Sequence, residues 1–280
     1  MEQNLDTTAQ DDGLIAPEVG AWTEDKHRMV TLYSTLFSSG MKRKWPHRSY
    51  VELYAGSGLS RIRDTQRFVF GSPLLALKLK DPFTKYIFCE EHAEKLRALR
   101  VRAKRVAPDF EVSFIPGDCN RHTAELRAAI PSNSLTLCFA DPFDIGLEFE
   151  TIRALAVNTR IDFLILLALG MDANRNYDNY VKEDADKIDK FLGSNSWRDR
   201  WATAQWDAVR FVRFLADEFT NSMAALGYIP PPHYTMKEVR SYEKNSPLYK
   251  LALFSRNPLA YKFWEEVIKY STDQRTLGNW

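Results

Sequence analysis

A strand-like run that ends in two glycines is the strongest chemical signal in the sequence. Residues 51–58 read VELYAGSG, in which Gly56 and Gly58 allow a sharp turn and a close approach of the backbone to a ligand. The amides that follow such a turn can face a nucleotide-like group. Arg61 stands where a dinucleotide fingerprint would have its third glycine, which weakens a nicotinamide interpretation. The segment predicts a cofactor site, with an ordinary tight turn as the alternative.

Acidic residues follow the later apolar runs at the points where those runs end. Glu90 ends KYIFCE, Asp118 follows FEVSFI within PGDCN, and Asp141 follows SLTLCFA within FADPF. Open parallel sheets bind ligands outside the carboxyl ends of their strands, where a carboxylate can accept both hydroxyls of a ribose. One such acid alone is more often a cap or turn residue. Together with the glycine turn, Glu90 and Asp118 favour an adenosine-bearing cofactor.

The elements that must position these residues alternate between strand-length apolar runs and helical patterns. The runs begin at Tyr50, Lys85, Phe110, Ser134 and Ile161. This alternation predicts right-handed crossovers and a doubly wound, Rossmann-like α/β sheet that is covered on both faces. Residues 171–228 carry only helical patterns, which predict a helical insertion. The β-rich runs at 233–242 and 247–256 predict a hairpin before a final amphipathic helix at 260–270.

Length and composition exclude several classes of protein. The 280 residues are 45% hydrophobic and 27% charged, and the net charge is +1, which argues against disorder and against a coat for polyanions. We expect a mobile acidic tail over residues 1–20 and one domain over residues 21–280.

The same sequence predicts a cytoplasmic location, no membrane span and no metal. The first residues lack the basic and apolar parts of a signal peptide, and no long uncharged apolar stretch occurs. Cys89, Cys119 and Cys138 form no CxxC pair and have no histidine at ligand spacing. Reduced, buried thiols are the expected state of all three.

Taken in chain order, these features resemble a Class I S-adenosylmethionine-dependent methyltransferase, a fold that typically ends with an antiparallel strand pair. The chain is more closely similar to the three-Cys-motif partner protein family (TcmP). This likeness rests on AWTEDKHRMV, YVELYAGSG followed by GSPLLAL, the Glu90 strand end, GDCN, FADPF and KFWEEV, and it spans roughly residues 22–267. The resemblance implies S-adenosylmethionine as the cofactor and a three-Cys-motif protein of the radical S-adenosylmethionine type as a partner.

The resemblance also implies a role for each residue of the predicted cofactor site. Glu90 would hold the ribose, and Asp118 with Cys119 would flank the adenine. The methionine end would be lined by Glu52, Tyr54, Ala55, Gly56 and Gly58. An acidic rim suits the cationic sulfonium of this cofactor.

The FADPF segment bears on what is methylated. It is similar to the [DN]PP[YF] signature of amino-methyltransferases, in which a polar side chain and a proline carbonyl accept hydrogen bonds from an exocyclic amine while the aromatic ring stacks on the base. Those roles would fall to Asp141, Pro142 and Phe143. Only one proline separates Asp141 from Phe143, so the turn is one residue shorter. The alternative is that Asp141 caps a loop and Phe143 closes the cofactor pocket.

Two further segments are candidates for substrate contact. The basic stretch KRKWPHR interleaves Trp45 with Lys42, Arg43, Lys44 and Arg48 and could meet a polyanion, or could be a solvated surface. The helical insertion could select the substrate through its aromatic and basic residues, although aromatics at helical spacing more often pack a core. These residues are Arg175, Tyr177, Tyr180, Trp197, Trp201 and Trp206.

Three functions remain open from the sequence. The first is a methyltransferase that acts on an exocyclic amine of a nucleic-acid base, so that nucleic acid is an expected partner. The second is a cofactor-binding but non-catalytic partner subunit of a three-Cys-motif radical S-adenosylmethionine protein. The third, which the glycine pattern disfavours, is an NAD-dependent oxidoreductase.

Overall fold

The computed structural model describes residues 8–173, 176–182, 185–204, 208–240 and 247–277. The strands are β1 (Thr8–Ala9), β2 (Glu18–Val19), β3 (Arg48–Glu52), β4 (Leu59–Ile62), β5 (Phe68–Phe70), β6 (Lys85–Glu90), β7 (Val112–Pro116), β8 (Leu135–Ala140), β9 (Arg160–Leu167), β10 (Lys237–Arg240) and β11 (Pro247–Phe254). The helices are α1 (Trp22–Met41), α2 (Ser72–Leu77), α3 (Ala93–Val106), α4 (Thr123–Ala129), α5 (Phe149–Ala156), α6 (Tyr177–Tyr180), α7 (Lys187–Leu192), α8 (Trp197–Ala204), α9 (Ala208–Ala225) and α10 (Pro258–Leu277).

A seven-stranded sheet in the order β10-β11-β9-β8-β3-β6-β7 forms the centre of the molecule. Its strand pairs are parallel except those that β11 makes with β9 and with β10, which are antiparallel. The chain order reverses at β3, because β6 and β7 lie on one side of it and β8 and β9 on the other. The predicted doubly wound sheet with a closing antiparallel pair is confirmed. The predicted hairpin turn at residues 243–246 lies outside the described residues.

Each face of the sheet buries its own hydrophobic core. Successive strand residues point to opposite faces, so Val51 and Ile87 join the core under α4, α5 and α9, whereas Tyr50 and Tyr86 join the core under α1 and α10. On the second face the ring of Tyr33 in α1 lies edge-on to a buried Trp264 ring of α10, with 5.7 Å between centroids. Helices therefore cover both faces, as the near-continuous apolar runs of the strands require.

Strands β1 and β2 lie within residues 1–20, which the sequence predicted as a mobile tail, and they belong to a small second sheet in the order β1-β5-β4-β2. Strand β1 pairs with β5, and β2 pairs with β4. The β4–β5 hairpin was not predicted from the sequence. The hairpin lies between Gly58 and Gly71, and its base is closed by a hydrogen bond from the Gly71 N–H to the Gly58 carbonyl at 2.7 Å. Backbone pairing joins these short strands, and the hairpin also buries Leu59, Ile62 and Val69. Runs of only two to four residues are too short to show a strand pattern in the sequence. Residues 1–7 lie outside the described residues.

Arg102 of α3 fastens this N-terminal segment to the glycine turn. Its guanidinium, which is 3% exposed, donates to both carboxylate oxygens of Asp12 at 2.6 and 3.0 Å and to the carbonyl of Ser57 at 2.7 Å. The Arg102 hydrogen bonds hold the pKa of Asp12 below its ordinary value. The buried guanidinium of Arg102 therefore holds the turn that follows β3 against the N-terminal segment.

The insertion after β9 is helical, as predicted, and consists of a π-helical turn at Leu169–Ala173 followed by α6 to α9. Trp197 is buried and donates its Nε1–H to Asp189 at 2.7 Å, and the Trp201 ring lies 4.7 Å from that of Phe211. These aromatics pack the insertion against the domain, which is the core role considered for them. Arg175 and Trp206 lie outside the described residues. Within the described chain, no helix combines the length and the apolar character needed to cross a bilayer.

Asp162 near the start of β9 predicts a pH-dependent stability. Burial raises the pKa of its carboxyl to about 7, against the opposing effects of the Ser255 hydroxyl and Arg256. The folded chain thus holds a proton that the unfolded chain releases near pH 4, so stability is lost as the pH rises from about 4 to about 7. The variant Asp162→Asn has no carboxyl to titrate, so its free energy of unfolding should not fall in this way. The difference in free energy of unfolding between the variant and the wild type should therefore increase in favour of the variant, by roughly 2–4 kcal/mol from pH 4 to pH 7.

Urea denaturation of both proteins between pH 4 and pH 8 measures this difference. The exposed Asp109→Asn serves as the matched control and should follow the wild type at every pH. A constant gap between wild type and Asp162→Asn over the whole range would contradict the prediction.

Candidate functional site

Strand register brings the predicted site residues to one edge of the sheet. Glu52 pairs with Phe88 of β6 and with Phe139 of β8, so residues two positions further along, Glu90 and Asp141, stand level with Tyr54. The pairing continues past β3, because the Ala55 N–H donates to the Cys89 carbonyl at 2.9 Å. These chain segments meet at the carboxyl ends of the parallel strands, where the order of the sheet reverses. This is the position at which open α/β sheets bind ligands.

The glycine turn needs glycine at two positions for different reasons. Gly56 has φ +65° and Gly58 has φ +84°, values that residues with a side chain rarely adopt. A Cβ on Gly56 would meet no atom within 4 Å, whereas one on Gly58 would meet Leu99 at 2.9 Å and Leu74 at 3.1 Å. Gly56 therefore faces open space, and Gly58 allows close packing of the turn on α2 and α3.

Glu90 is the residue that ties the second strand end to the glycine turn. One carboxylate oxygen accepts the Gly56 N–H at 2.7 Å, and the other accepts the His92 N–H at 2.9 Å. The residue is 7% exposed. Because both oxygens are held by backbone amides, the carboxylate is fixed in place, and each oxygen keeps a lone pair for a further donor.

Asp118 and Cys119 follow β7 in a turn next to Glu90. The Asp118 Oδ1 accepts the Asn120 N–H at 2.9 Å, and its side chain is 33% exposed. Cys119 is buried, is hydrogen-bonded to Tyr54, and has its pKa raised to about 12 by burial. Burial also raises the thiol pKa of Cys89 and of Cys138. At these thiols a nucleophilic thiolate is therefore disfavoured.

Asn120, which the sequence did not single out, connects this turn to the segment after β8. Its Oδ1 accepts the Glu148 N–H at 3.0 Å and the Thr151 hydroxyl at 2.8 Å, and its Nδ2 donates to the Gly146 carbonyl at 2.9 Å. One amide side chain thus fixes two of the loops at the carboxyl edge. The position of Asn120 in the GDCN motif, two residues after Asp118, was the sequence feature that could have identified it as a site residue.

Glu52 differs from its expected place on an acidic rim. It is 1% exposed, and its two oxygens accept the hydroxyls of Ser72 at 2.5 Å and Tyr50 at 3.1 Å. Burial raises its pKa well above the ordinary value. It joins the glycine turn to the start of α2 from inside the protein and brings no exposed charge to the edge.

Asp141 forms an ion pair with Lys26 of α1, a partner that the sequence did not suggest. The Lys26 Nζ contacts Asp141 Oδ2, and the two side chains are 10% and 21% exposed. Lys26 falls at helical spacing from the apolar residues Trp22 and Met29, and a cation on that face of α1 was the available signal for a buried partner. Pro142 is buried, whereas Phe143 is 72% exposed, with the Lys95 Nζ lying 5.6 Å from its ring centroid.

A second polar cluster fixes the insertion against the loop after β8. Asp172 accepts the Ile145 N–H at 3.0 Å and the Tyr180 hydroxyl at 2.7 Å. Lys187 reaches Asp144 at 2.7 Å and Asp172 at 3.4 Å. Burial opposes the ionised form of Asp172, but these donors more than offset it and lower its pKa. The loop that carries Asp141 and Phe143 is therefore held from both sides.

The basic segment lies at the opposite edge of the sheet. Arg48 opens β3 and is buried, with its guanidinium bonded to the carbonyls of Trp45 at 2.8 Å and Pro82 at 3.0 Å. Lys42 is exposed and pairs with Asp81 at 2.7 Å, and Arg43 and Lys44 are also exposed. The length of β3 separates them all from the glycine turn, by roughly 15 Å. Among the described residues, no cluster of three His, Cys, Asp or Glu side chains suits a metal ion.

No family model matches the chain, and no curated protein is similar to it in sequence. Solved structures of methyltransferases are similar to it in fold. TomG, an O-methyltransferase from Streptomyces achromogenes in complex with SAM, is 11% identical, with a TM-score of 0.46 over 82% of this chain and 79% of that one. An O-methyltransferase from Bacillus cereus in complex with SAH is 10% identical, with a TM-score of 0.46 over 86% and 84%.

A third similar structure is TYW2 of M. jannaschii in complex with AdoMet, which is 9% identical, with a TM-score of 0.43 over 85% of this chain and 78% of that one. The fold itself is the one that the resemblance implied. Its strand order and the single reversed strand in the described sheet are those of a Rossmann-like Class I methyltransferase.

Proposed function

We propose that the protein binds S-adenosylmethionine at the carboxyl edge of the sheet and methylates an exocyclic amine of a nucleic-acid base. One observation carries the proposal. The register places the glycine turn, Glu90 and the Asp141 loop at the edge where the strand order reverses, and Glu90 is bonded directly to the Gly56 amide. A fixed carboxylate beside an open glycine turn suits the ribose of an adenosine.

Residues at the glycine turn and at the next two strand ends support binding of the adenosine part of this cofactor. The open side of Gly56 admits a ligand close to the backbone, and the fixed carboxylate of Glu90 can accept ribose hydroxyls. Asp118 and Cys119 flank the adenine side. S-adenosylmethionine supplies a methyl group on a cationic sulfur. The contribution of the protein is to hold that methyl group and the acceptor nitrogen in line.

The acceptor class follows from the segment after β8. Lys26 engages Oδ2 of Asp141, which leaves Oδ1 to accept a hydrogen bond from an amine. Phe143 exposes a ring on which a base can stack, and Lys95 beside it offers a cation to a phosphate. An aromatic ring next to an ammonium group supports a nucleic-acid base as the acceptor.

Phe143→Ala is expected to lower kcat/KM for methyl transfer by about 10- to 100-fold, because base–aromatic stacking contributes roughly 1–3 kcal/mol. The affinity for S-adenosylmethionine should stay unchanged. Transfer is measured with labelled cofactor on fractionated RNA, DNA and protein. Tyr270→Ala, which removes another exposed ring at 61% exposure, is the matched control. Equal rates for Phe143→Ala and wild type would exclude stacking on this ring.

A second candidate is a cofactor-binding subunit without transfer activity, as the resemblance to three-Cys-motif partner proteins implies. The Lys26–Asp141 ion pair favours it, since an ammonium group already engages the carboxylate that would accept the amine. If this hypothesis is correct, the protein binds S-adenosylmethionine but transfers no methyl group, whether or not the three-Cys-motif protein is present. Calorimetry with S-adenosylmethionine and with NAD, followed by transfer assays on wild type and Asp141→Ala, separates the hypotheses.

A further inference from the structure

A cavity of about 220 Å³ opens at the amino-terminal edge of the sheet, remote from the glycine turn. Its wall combines the end of α1, Trp45, the starts of β8 and β9, and the start of α10. Strand β8 separates the cavity from Asp141 by its full length, about 20 Å. The cavity is therefore distinct from the proposed cofactor site.

The walls of this cavity suit a planar ring. Phe37, Trp45, Leu135 and Phe263 contribute apolar surface. An apolar cavity of roughly 150 Å³ already admits benzene, so this one has room for a larger aromatic heterocycle. The guanidinium of Arg160 lies over the Trp45 ring, 5.1 Å from its centroid, and places a cation beside this apolar wall.

Asp162 supplies one polar group in this apolar wall. Its Oδ1 accepts the hydroxyl of the buried Ser255 at 2.7 Å. In the part of the chain that the structure describes, no other hydrogen bond to this carboxyl occurs, so its second oxygen can accept from a ligand. Carboxylates read the exocyclic amino group of cytosine in this way. A carboxyl beside a ring-shaped space thus selects a heterocycle that carries an amine.

The mouth of the cavity is cationic. Arg160 is exposed there, and Arg256 is held nearby by the carbonyls of Ala156 and Leu226. The exposed Arg43 and Lys44 immediately precede Trp45 in the chain. Two guanidinium groups outweigh the single carboxyl of Asp162 and favour an anionic group on the ligand, and guanidinium matches phosphate.

The geometry points to a nucleotide-binding site in this cavity. The base lies among Phe37, Trp45 and Phe263 with its amino group on Asp162, and the phosphate lies at Arg160. The nucleotide is either free or part of a single strand, since both present the same base and phosphate. This site does not depend on the proposed methyl transfer.

Calorimetry on the full chain at pH 8, where the Asp162 carboxyl is mostly ionised, tests the proposal with CMP, UMP, cytidine and indole. CMP should bind at least fivefold more tightly than UMP, which has the same size but no amino group, and more tightly than cytidine, which has no phosphate. Saturating S-adenosylhomocysteine and the variant Glu90→Ala should leave CMP binding unchanged, which separates this site from the cofactor site. Equal binding of CMP and UMP, or of CMP and indole, would overturn the proposal.

Two variants localise the effect. Asp162→Asn should abolish the preference for CMP over UMP, and Arg160→Gln should reduce CMP binding to that of cytidine. Arg97→Gln, an exposed arginine of α3 outside the cavity wall, is the matched control. Tighter binding of a short oligocytidylate than of CMP identifies a strand as the natural ligand, and equal binding identifies the free nucleotide. If neither variant changes CMP binding, the site is wrong.

Discussion

Glu90→Ala is expected to weaken the binding of S-adenosylmethionine by about 100-fold. The carboxylate holds the Gly56 amide at 2.7 Å and the His92 amide at 2.9 Å. Its removal deletes the proposed acceptor for the ribose hydroxyls and the hydrogen bond that holds the Gly56 amide. Hydrogen bonds to a charged group contribute about 1.5–3 kcal/mol each, and a factor of 100 corresponds to about 2.7 kcal/mol.

Calorimetric titration of the folded variant measures this loss. Glu91→Ala is the matched control, since Glu91 is the neighbouring acid but is exposed, and it should bind like wild type. Asp118→Ala should have a smaller effect, about tenfold, because its carboxylate is more exposed and braces only its own turn. An unchanged affinity in both Glu90→Ala and Asp118→Ala would mean that the cofactor site is misplaced.

Lys26→Met is expected to lower the free energy of unfolding by about 3 kcal/mol. The variant leaves the Asp141 carboxylate largely buried without its cation, and breaking such a pair by removing one partner costs about 3–5 kcal/mol. Buried Glu52 lies close enough for the charges of both Lys26 and Asp141 to act on its pKa, in opposite directions. Of these two charge effects, losing the cation leaves the one that disfavours ionisation of Glu52.

Urea denaturation of five proteins tests this prediction: wild type, Lys26→Met, Asp141→Asn, the double variant and Lys42→Met. The double variant Lys26→Met with Asp141→Asn removes both charges and should recover most of the loss, as a double-mutant cycle requires for a direct interaction. Lys42→Met is the matched control, since the two side chains of its ion pair with Asp81 are 46% and 30% exposed and solvent screening leaves the pair little effect on stability. A cost for Lys26→Met no greater than that for Lys42→Met would refute a buried pair.

The local pattern of the sequence determined the main sheet and placed the glycine turn, Glu90 and Asp141 at its carboxyl edge. Hydrophobic runs of strand length, separated by helical patterns, can bury their residues only as parallel strands with helices on both faces. Strand β6 was expected from Lys85 and runs from Lys85 to Glu90. Because parallel strands all end at one edge, Glu90 and Asp141 had to come near the glycine turn once that sheet formed. The positions followed from chain order alone.

The partners of these residues were decided only by the tertiary structure. Lys26 lies 115 positions from Asp141, and Arg102 lies 90 positions from Asp12, and no local pattern links residues so far apart. The β1–β5–β4–β2 sheet also depends on pairing β1 with β5 and β2 with β4 across long stretches of chain, and strands of two to four residues are too short to show a hydrophobic period. For Glu52, too, the sequence predicted the position and the tertiary structure decided the partners. Its place at the end of β3 followed from the sequence, but whether its carboxylate faced the edge or the interior depended on Tyr50 and Ser72 closing over it.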